Sequence, residues 1–213
     1  TKTNLSTSMK IFLIIPTLKQ GGAERVMSEL ANEFSNRNHE VHLVLLAQSE
    51  DFYSINHSVK IHRLGFINKG IVQKIFAELI TFIKLRKLFK VTKPDTALSF
   101  MDKYNVLTIL ASRFLNSKVF VSDRSNPRKK QPKYISLLKK TTYKFATGII
   151  AQTSLAKEII AKKTGNKNIR VIANPLKQVK TYPKINRDKI IINMGRLVPE
   201  KGQKYLLEAF SKI

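Results

Sequence analysis

The chain has no cysteine and no tryptophan, and only 14 of its 213 residues are Asp or Glu. Without cysteine there is no disulfide framework, no thiolate metal site and no cysteine nucleophile, and a reducing compartment is compatible with the composition. His39, His42, His57 and His62 show no metal-ligand spacing with acidic residues, so no metal is expected. Long apolar runs are missing too. The longest stretch without a charged residue, 145–156, falls well short of the roughly 18–20 apolar residues that span a bilayer. Residues 1–8 are polar, without the apolar centre of a signal peptide, and read as a short tail or cloning remnant ahead of Met9.

What is present is lysine and arginine: 39 of them against 14 acids, 39 − 14 = +25. The hydrophobic fraction, 43%, is that of a globular protein, so the charge belongs on the surface of something folded. Short runs rich in Ile, Val and Leu at 11–16, 41–46, 61–64, 96–99, 119–122, 148–151 and 170–172 alternate with helical periodicity near 23–36, 71–92, 104–115, 131–145 and 154–164. That alternation predicts an α/β fold, a doubly wound, mainly parallel sheet covered by helices. A run apolar at every position, such as Ile11, Phe12, Leu13, Ile14 and Ile15, suits a strand buried on both faces. The expected organisation is a domain over 9–173, a Pro- and Lys-containing linker over 174–189, and a strand and helix over 190–213. Two elements cannot bury a core, so the chain is expected to be a truncated piece of a larger protein.

Such sheets bind ligands at the carboxyl ends of their strands. After the first strand, Gly21 and Gly22 open a helix directly, an arrangement that lets backbone approach a ligand and leaves N–H groups for a phosphate. The alternative is a simple tight turn, and the segment is neither a dinucleotide fingerprint nor a P-loop. Arg196 and Lys201 lie five apart on a strand-to-helix loop, where a planar fork and a compact charge can converge on a diphosphate; the alternative is a solvated loop. The loops at 99–105 and 122–127 supply Asp102, Arg124 and Asn126 as further ligand-facing candidates at the same edge, with Asp123 either pairing with Arg124 or capping its turn.

Taken together, Gly21, Gly22, Ala23, Glu24, Arg25 and Val26, then Asn38 to Val41, Val171 to Pro175, and Gly195 to Gly202 resemble the GT-B glycosyltransferases of family 4 in order and spacing. The resemblance implies that 11–173 is the acceptor-side Rossmann-like domain and that 190 onward begins the donor domain. It implies a nucleotide-sugar as substrate rather than a bound cofactor, and retention of anomeric configuration. Gly21 and Gly22 would line the cleft near donor phosphate and acceptor, and Arg196 and Lys201 would hold the donor diphosphate. The family's paired glutamates lie further along the donor domain, so this chain alone is expected to turn over no sugar. Many relatives place a His near the 122–127 loop, and here there is none.

Residues 60–93 carry nine bases and one acid, Glu78, and 124–144 carry eight bases and no acid. Val72, Ile75, Phe76, Leu79 and Ile83 fall at helical spacing within the first segment. An amphipathic helix ending in Lys84, Arg86, Lys87 and Lys90, with Lys129 and Lys130 on the second segment, is suited to an anionic bilayer. The stripe could instead pack on the sheet. With the family resemblance, the expectation is a cytoplasmic protein peripheral to the inner face of the cytoplasmic membrane, acting on a lipid-linked or polysaccharide acceptor in surface-glycan synthesis. The alternatives are a nucleic-acid-binding module or a non-catalytic membrane-surface module. Nucleic acid is disfavoured by the lack of zinc-finger spacing, RNP-like aromatics or a Gly-x-x-Gly clamp.

Overall fold

The computed structural model describes residues 8–65, 71–128, 131–175, 189–195 and 197–212, with backbone alone at 71–75 and 200. The chain divides into two compact units, Thr1–Pro175 and Leu176–Ile213.

The first unit is a seven-stranded sheet in the order β3-β2-β1-β4-β5-β6-β7. The strands are β1 (Lys10–Ile15), β2 (Glu40–Leu45), β3 (Lys60–Arg63), β4 (Thr96–Phe100), β5 (Lys118–Ser122), β6 (Gly148–Ala151) and β7 (Ile169–Val171), and every pairing is parallel. The helices are α1 (Gly22–Asn36), α2 (Ile71–Thr92), α3 (Asp102–Ser112), α4 (Lys133–Thr142) and α5 (Ser154–Thr164), with a 3₁₀ turn at Tyr143–Phe145. This is the expected doubly wound α/β fold. Its central strand is β1, where Ile11 pairs with Val41 on one side and Thr96 on the other.

Successive residues of a strand face opposite sides of the sheet, so β1 feeds two cores. Ile11, Leu13 and Ile15 pack with Val26, Met27 and Ala31 of α1; Phe12 and Ile14 join the core containing Leu85 and Phe89 of α2, Val106 and Ile109 of α3, and Ile160 of α5. Crossovers between parallel strands are right-handed, so the direction of the step chooses the face. The step from β1 to β2 puts α1 on one side. The steps from β3 to β4 and onward run the other way and put α2 to α5 on the opposite side.

Helix α5 shows how the local sequence sets its own limits. Thr153 accepts the Ala156 N–H at 3.1 Å, and Gly165 ends the helix with φ 66°, a left-handed cap that glycine adopts without strain.

The described part of the apolar stripe on α2, Phe76, Leu79 and Ile83, does not pack on the sheet. Ala77, Thr81, Leu85 and Phe89, spaced four apart, form the buried row, while Phe76 (62%), Leu79 (53%) and Ile83 (55%) are exposed. Val72 and Ile75 have no described side chains. The helix is apolar on both sides along its first half, so periodicity alone could not choose, and the row with the small Ala77 and Thr81 packs. Arg86, expected among the outward bases, instead turns its Nη1 to the carbonyls of Ala111 and Arg113 at 3.0 and 3.1 Å, supplying donors to the end of α3.

In the second unit the expected helix is present as α6 (Gln203–Phe210), with no buried residue. The strand expected at 190–194 does not form among the described residues, since a strand needs a neighbour for its N–H and C=O groups. The division after Pro175, two residues beyond the boundary read at 173, has a local cause: Arg25 Nη2 donates to the Pro175 carbonyl at 3.0 Å, and Gln152 Nε2 to Asn174 Oδ1 at 2.9 Å.

The two sides of α2 should respond oppositely to truncation. Leu85→Ala is expected to cost about 3 kcal/mol of unfolding free energy, and Leu79→Ser to stay within about 0.5 kcal/mol of the parent, by urea denaturation followed by circular dichroism.

Candidate functional site

In a doubly wound sheet the loops diverge where the strand order reverses, here between β1 and β4, and leave a crevice at the carboxyl edge. The loop from β1 into α1 lies there, with Leu18 fully buried beneath it. Tyr53 pins it: its hydroxyl donates to the Gly21 carbonyl at 2.9 Å and accepts the Gly21 N–H at 3.3 Å. Gly21 is extended, with φ −167°, so its backbone angles do not demand glycine. A Cβ on Gly21 would collide with the Glu24 carboxylate folded back over it, whereas one on Gly22 would meet no atom within 4 Å. Neither the backbone nor the packing of this chain therefore requires glycine at 22.

At the end of β4, Met101 holds φ 77°, an uncommon conformation for a residue with a side chain. Two hydrogen bonds secure it: its N–H donates to the Ser122 carbonyl at 3.2 Å, and its own carbonyl accepts the Asn105 N–H at 2.8 Å. The strained turn puts Asp102 into the first turn of α3, where a carboxylate suits the helix dipole.

Asp102 and Asp123, from the ends of β4 and β5, meet at one cation. Lys139 of α4, only 8% exposed, bridges them, with its Nζ 2.5 Å from Asp123 Oδ2. The Tyr143 hydroxyl donates to Asp123 Oδ1 at 2.6 Å, and Asn105 Nδ2 reaches the Ser122 carbonyl and the Tyr143 oxygen at 3.1 Å each. Burial pushes the Asp123 carboxyl above its ordinary value despite the opposing charge of Lys139. Burial acts in the same direction on Asp102, but there Lys139 outweighs it and the net shift is downward. For Lys139, burial alone would lower the pKa; the two carboxylates prevail and raise it. Tyr143 is held well above its ordinary value by burial and then by the Asp123 charge. Asp123 thus pairs with Lys139, a partner outside the two roles read from the sequence, pairing with Arg124 or capping its turn, and Lys139 is withdrawn from the basic outer face.

Arg124 has a different role. Its guanidinium lies 3.7 Å over the Phe100 ring and its Nη1 is bonded to Asn174 Oδ1. It has no carboxylate partner among the described residues, its Nε is buried without an acceptor, and burial lowers its pKa to about 10. It therefore stays cationic at neutral pH. Asn126 Oδ1 accepts the Arg128 N–H at 2.9 Å, the geometry of an Asx turn that shapes this loop.

The remaining candidates are dispersed. Lys84, Lys87 and Lys90 are exposed on α2, and Lys201 is exposed in the 3₁₀ turn Pro199–Lys201 of the second unit. Arg196, Lys129 and Lys130 lie outside the described residues. His39 serves the entry to β2, accepting the Met9 N–H at 3.2 Å. His42 and His62 share a 2.8 Å contact on β2 and β3, and both are lowered by burial. Among the described residues, no group of three or more His, Asp or Glu side chains is placed to hold a metal.

Sequence reasoning missed Tyr53, Lys139 and Tyr143. Only Lys139 carried a signal: it falls in line with Ile135 and Thr142 on the buried row of α4.

The family model described as Glycosyltransferase Family 4 matches residues 20–177, which takes in the glycine loop and the whole carboxyl edge from β2 to β7. The chain belongs to glycosyltransferase family 4. Its first unit is the N-terminal, Rossmann-like half of a GT-B fold. This family 4 chain is 29% identical over 209 residues to a Campylobacter jejuni protein, covering 96% of this chain and 57% of that one. That protein is named GalNAc-alpha-(1->4)-GalNAc-alpha-(1->3)-diNAcBac-PP-undecaprenol alpha-1,4-N-acetyl-D-galactosaminyltransferase. It is 30% identical over 156 residues to an uncharacterized glycosyltransferase of Methanocaldococcus jannaschii, covering 61% of this chain and 38% of that protein. Among solved structures, the lipopolysaccharide outer core galactosyltransferase WaaB superposes with a TM-score of 0.61 at 18% identity, over 84% of this chain and 49% of that one. The chain thus spans about half the length of the relatives it matches.

The buried cluster at the edge of this family 4 domain makes a pH-dependent prediction. Asp102 titrates below its unfolded value near 4, so the stability it contributes is present above that value and lost as pH falls through the folded one. Lys139→Met leaves both carboxylates without their cation, raises their folded pKa values and should cost about 3–5 kcal/mol at pH 7. The deficit should shrink towards pH 4 as they protonate. Urea denaturation at the two pH values measures it, and an equal deficit at both would contradict the assignment.

Proposed function

We propose that this chain supplies the acceptor-side half of a retaining glycosyltransferase that moves a sugar from a nucleotide-sugar donor to a lipid-linked saccharide, at the inner face of the cytoplasmic membrane. The observation that carries this reading is the glycine loop, which opens α1 at the carboxyl edge of a family 4 domain although a Cβ at Gly22 would meet no atom of the fold within 4 Å. A position that packing does not restrict, beside free helical N–H groups, is suited to close approach of a substrate. The acceptor class is supported by the diphosphoundecaprenol-linked substrate in the name of the Campylobacter relative. Arg196 and Lys201, in the second unit, take the donor diphosphate and stabilise the charge that develops on it as the glycosidic bond breaks. Asp102 and Arg124 border the acceptor side.

The membrane reading is supported by α2. Phe76, Leu79 and Ile83 are exposed beside Lys87 and Lys90, which is how an interfacial helix presents itself to anionic lipid. Among the described residues, no helix is long and apolar enough to cross a membrane, so contact would be with the surface. Each surface lysine contributes about 1 kcal/mol, and the attraction is screened within roughly 8–10 Å at ordinary salt.

In the whole protein, Gly22→Val should fold as stably as the parent, since the new side chain meets open space, yet lower turnover by about two orders of magnitude. Lys201→Ala should lower it comparably through lost charge stabilisation. Steady-state kinetics with a nucleotide-sugar donor measures both, and parental rates in both variants would refute the reading.

Membrane docking is tested separately by sedimentation with vesicles containing anionic lipid. Lys87→Glu with Lys90→Glu should weaken binding at least tenfold, and added salt should weaken the parent similarly. Arg86 is left intact because it supports α3. A parent that ignores the vesicles at low salt, or prefers duplex DNA at matched salt, would sink this part of the proposal.

A further inference from the structure

A groove of about 320 Å³ opens between α4 and α5, on the helical side of the carboxyl edge. Its floor holds the aliphatic Ala156, Ile159 and Ile160 together with Thr164, and its rim carries the bases Arg124, Arg128 and Lys163 among neutral polar side chains such as Ser125, Gln131 and Gln152. Asp123, the acid that also lines it, is already committed to Lys139. Among the described residues Arg128 and Lys163 make no ion pair, and Arg124 has only Asn174 and the Phe100 face as partners. Three cations around one small concavity repel one another, and among the described residues none of them has an acid to offset this. Arg124 is the most telling of them, because it is half-buried and has no carboxylate partner among the described residues, and a charge withdrawn from water is costly unless it is paired. An anion in the groove would pair with the Arg124 guanidinium and offset the repulsion.

The floor narrows the choice of anion. Inorganic phosphate or diphosphate would engage the bases and leave the aliphatic side chains without an apolar partner. A phosphate attached to a hydrocarbon matches both parts of the site, with the charged end at the rim and the first carbons on the floor.

We propose that the groove between α4 and α5 binds the phosphoryl or diphosphoryl end of an amphiphilic acceptor, through Arg124, Arg128 and Lys163, with its apolar chain starting along Ala156, Ile159 and Ile160. The substrate class rests on the lipid-linked acceptor proposed above; the site does not depend on the α2 surface. It adds two residues, Arg128 and Lys163, that neither the glycine loop nor the post-strand motifs bring into the reaction. It also separates two tasks: α2 holds the protein on the lipid surface, and the groove selects the phosphorylated molecule within it.

The test is calorimetric titration of the chain with geranyl diphosphate, inorganic diphosphate and geraniol. Geranyl diphosphate should bind at least tenfold more tightly than either of the others. Arg128→Gln with Lys163→Gln should weaken it at least tenfold without lowering the melting temperature, since neither side chain makes a hydrogen bond or ion pair among the described residues. Arg124→Gln is less informative because Arg124 also contacts Phe100 and Asn174. Ile159→Gln should reduce the preference for geranyl over inorganic diphosphate. Equal binding of the two diphosphates would overturn the amphiphile assignment, and parental affinity in the double variant would overturn the site. Geranyl diphosphate binding that survives failure of the vesicle experiment would leave the groove standing without the membrane surface. Loss of the groove with vesicle docking intact would do the reverse.

Discussion

A parallel strand satisfies all its backbone groups only when flanked on both sides, and it can be apolar at every position only when covered on both faces. Strand β1 meets both conditions, between β2 and β4 and between the core of α1 and that of α2 to α5. From that constraint the rest follows. The chain must leave β1 in one direction and later return on its other side, so the helices divide between two faces and the loops after β1 and β4 separate. The glycine loop, the strained Met101 turn and the Arg124 loop share one edge because parallel strands end together.

That edge is held by charge as much as by packing. Lys139 is inside because two carboxylates from different strand ends require a cation there, and Tyr143 and Asn105 complete their hydrogen bonding. Burying ions is expensive unless they are paired with good geometry. The cluster thus fixes α4 against the ends of β4 and β5 and defines one wall of the α4–α5 groove. Arg124 differs in having aromatic and amide neighbours in place of a carboxylate. Acids turn Lys139 inward, carbonyls hold Arg86, and an aromatic face and an amide hold Arg124, while lysines such as Lys84, Lys87 and Lys90 remain exposed.

Helix α2 belongs to two environments. Its Ala77, Thr81, Leu85 and Phe89 row closes the core, and its Phe76, Leu79 and Ile83 row faces outward beside lysines. A buried apolar row is enough to hold a helix on a sheet, so a second exposed one needs a different explanation. Arg86 lies between the two roles, its stem along the helix and its guanidinium on the end of α3, so a count of bases on α2 overstates the outward charge.

Strand β1 was legible in the sequence because a parallel strand buried on two faces is written as an uninterrupted apolar run, whereas the edge strands β3 and β7, largely exposed, were legible only from short apolar runs and their place in the alternation. All seven strands of the first unit fell within a residue or so of where those runs lie. The glycine loop and the post-strand positions of Asp102 and Arg124 followed from the same alternation, since a loop after a strand is at the carboxyl edge by topology. Three things were decided only by tertiary structure: the face of α2 that packs, the partner of Asp123, and the pinning of Gly21 by Tyr53. The choice on α2 depended on the shape of the sheet beneath it, and the other two on residues 16 and 32 positions apart. Local composition determines which segments become strands and helices. Which charges are buried, and which apolar rows are covered, depends on what distant segments bring to them.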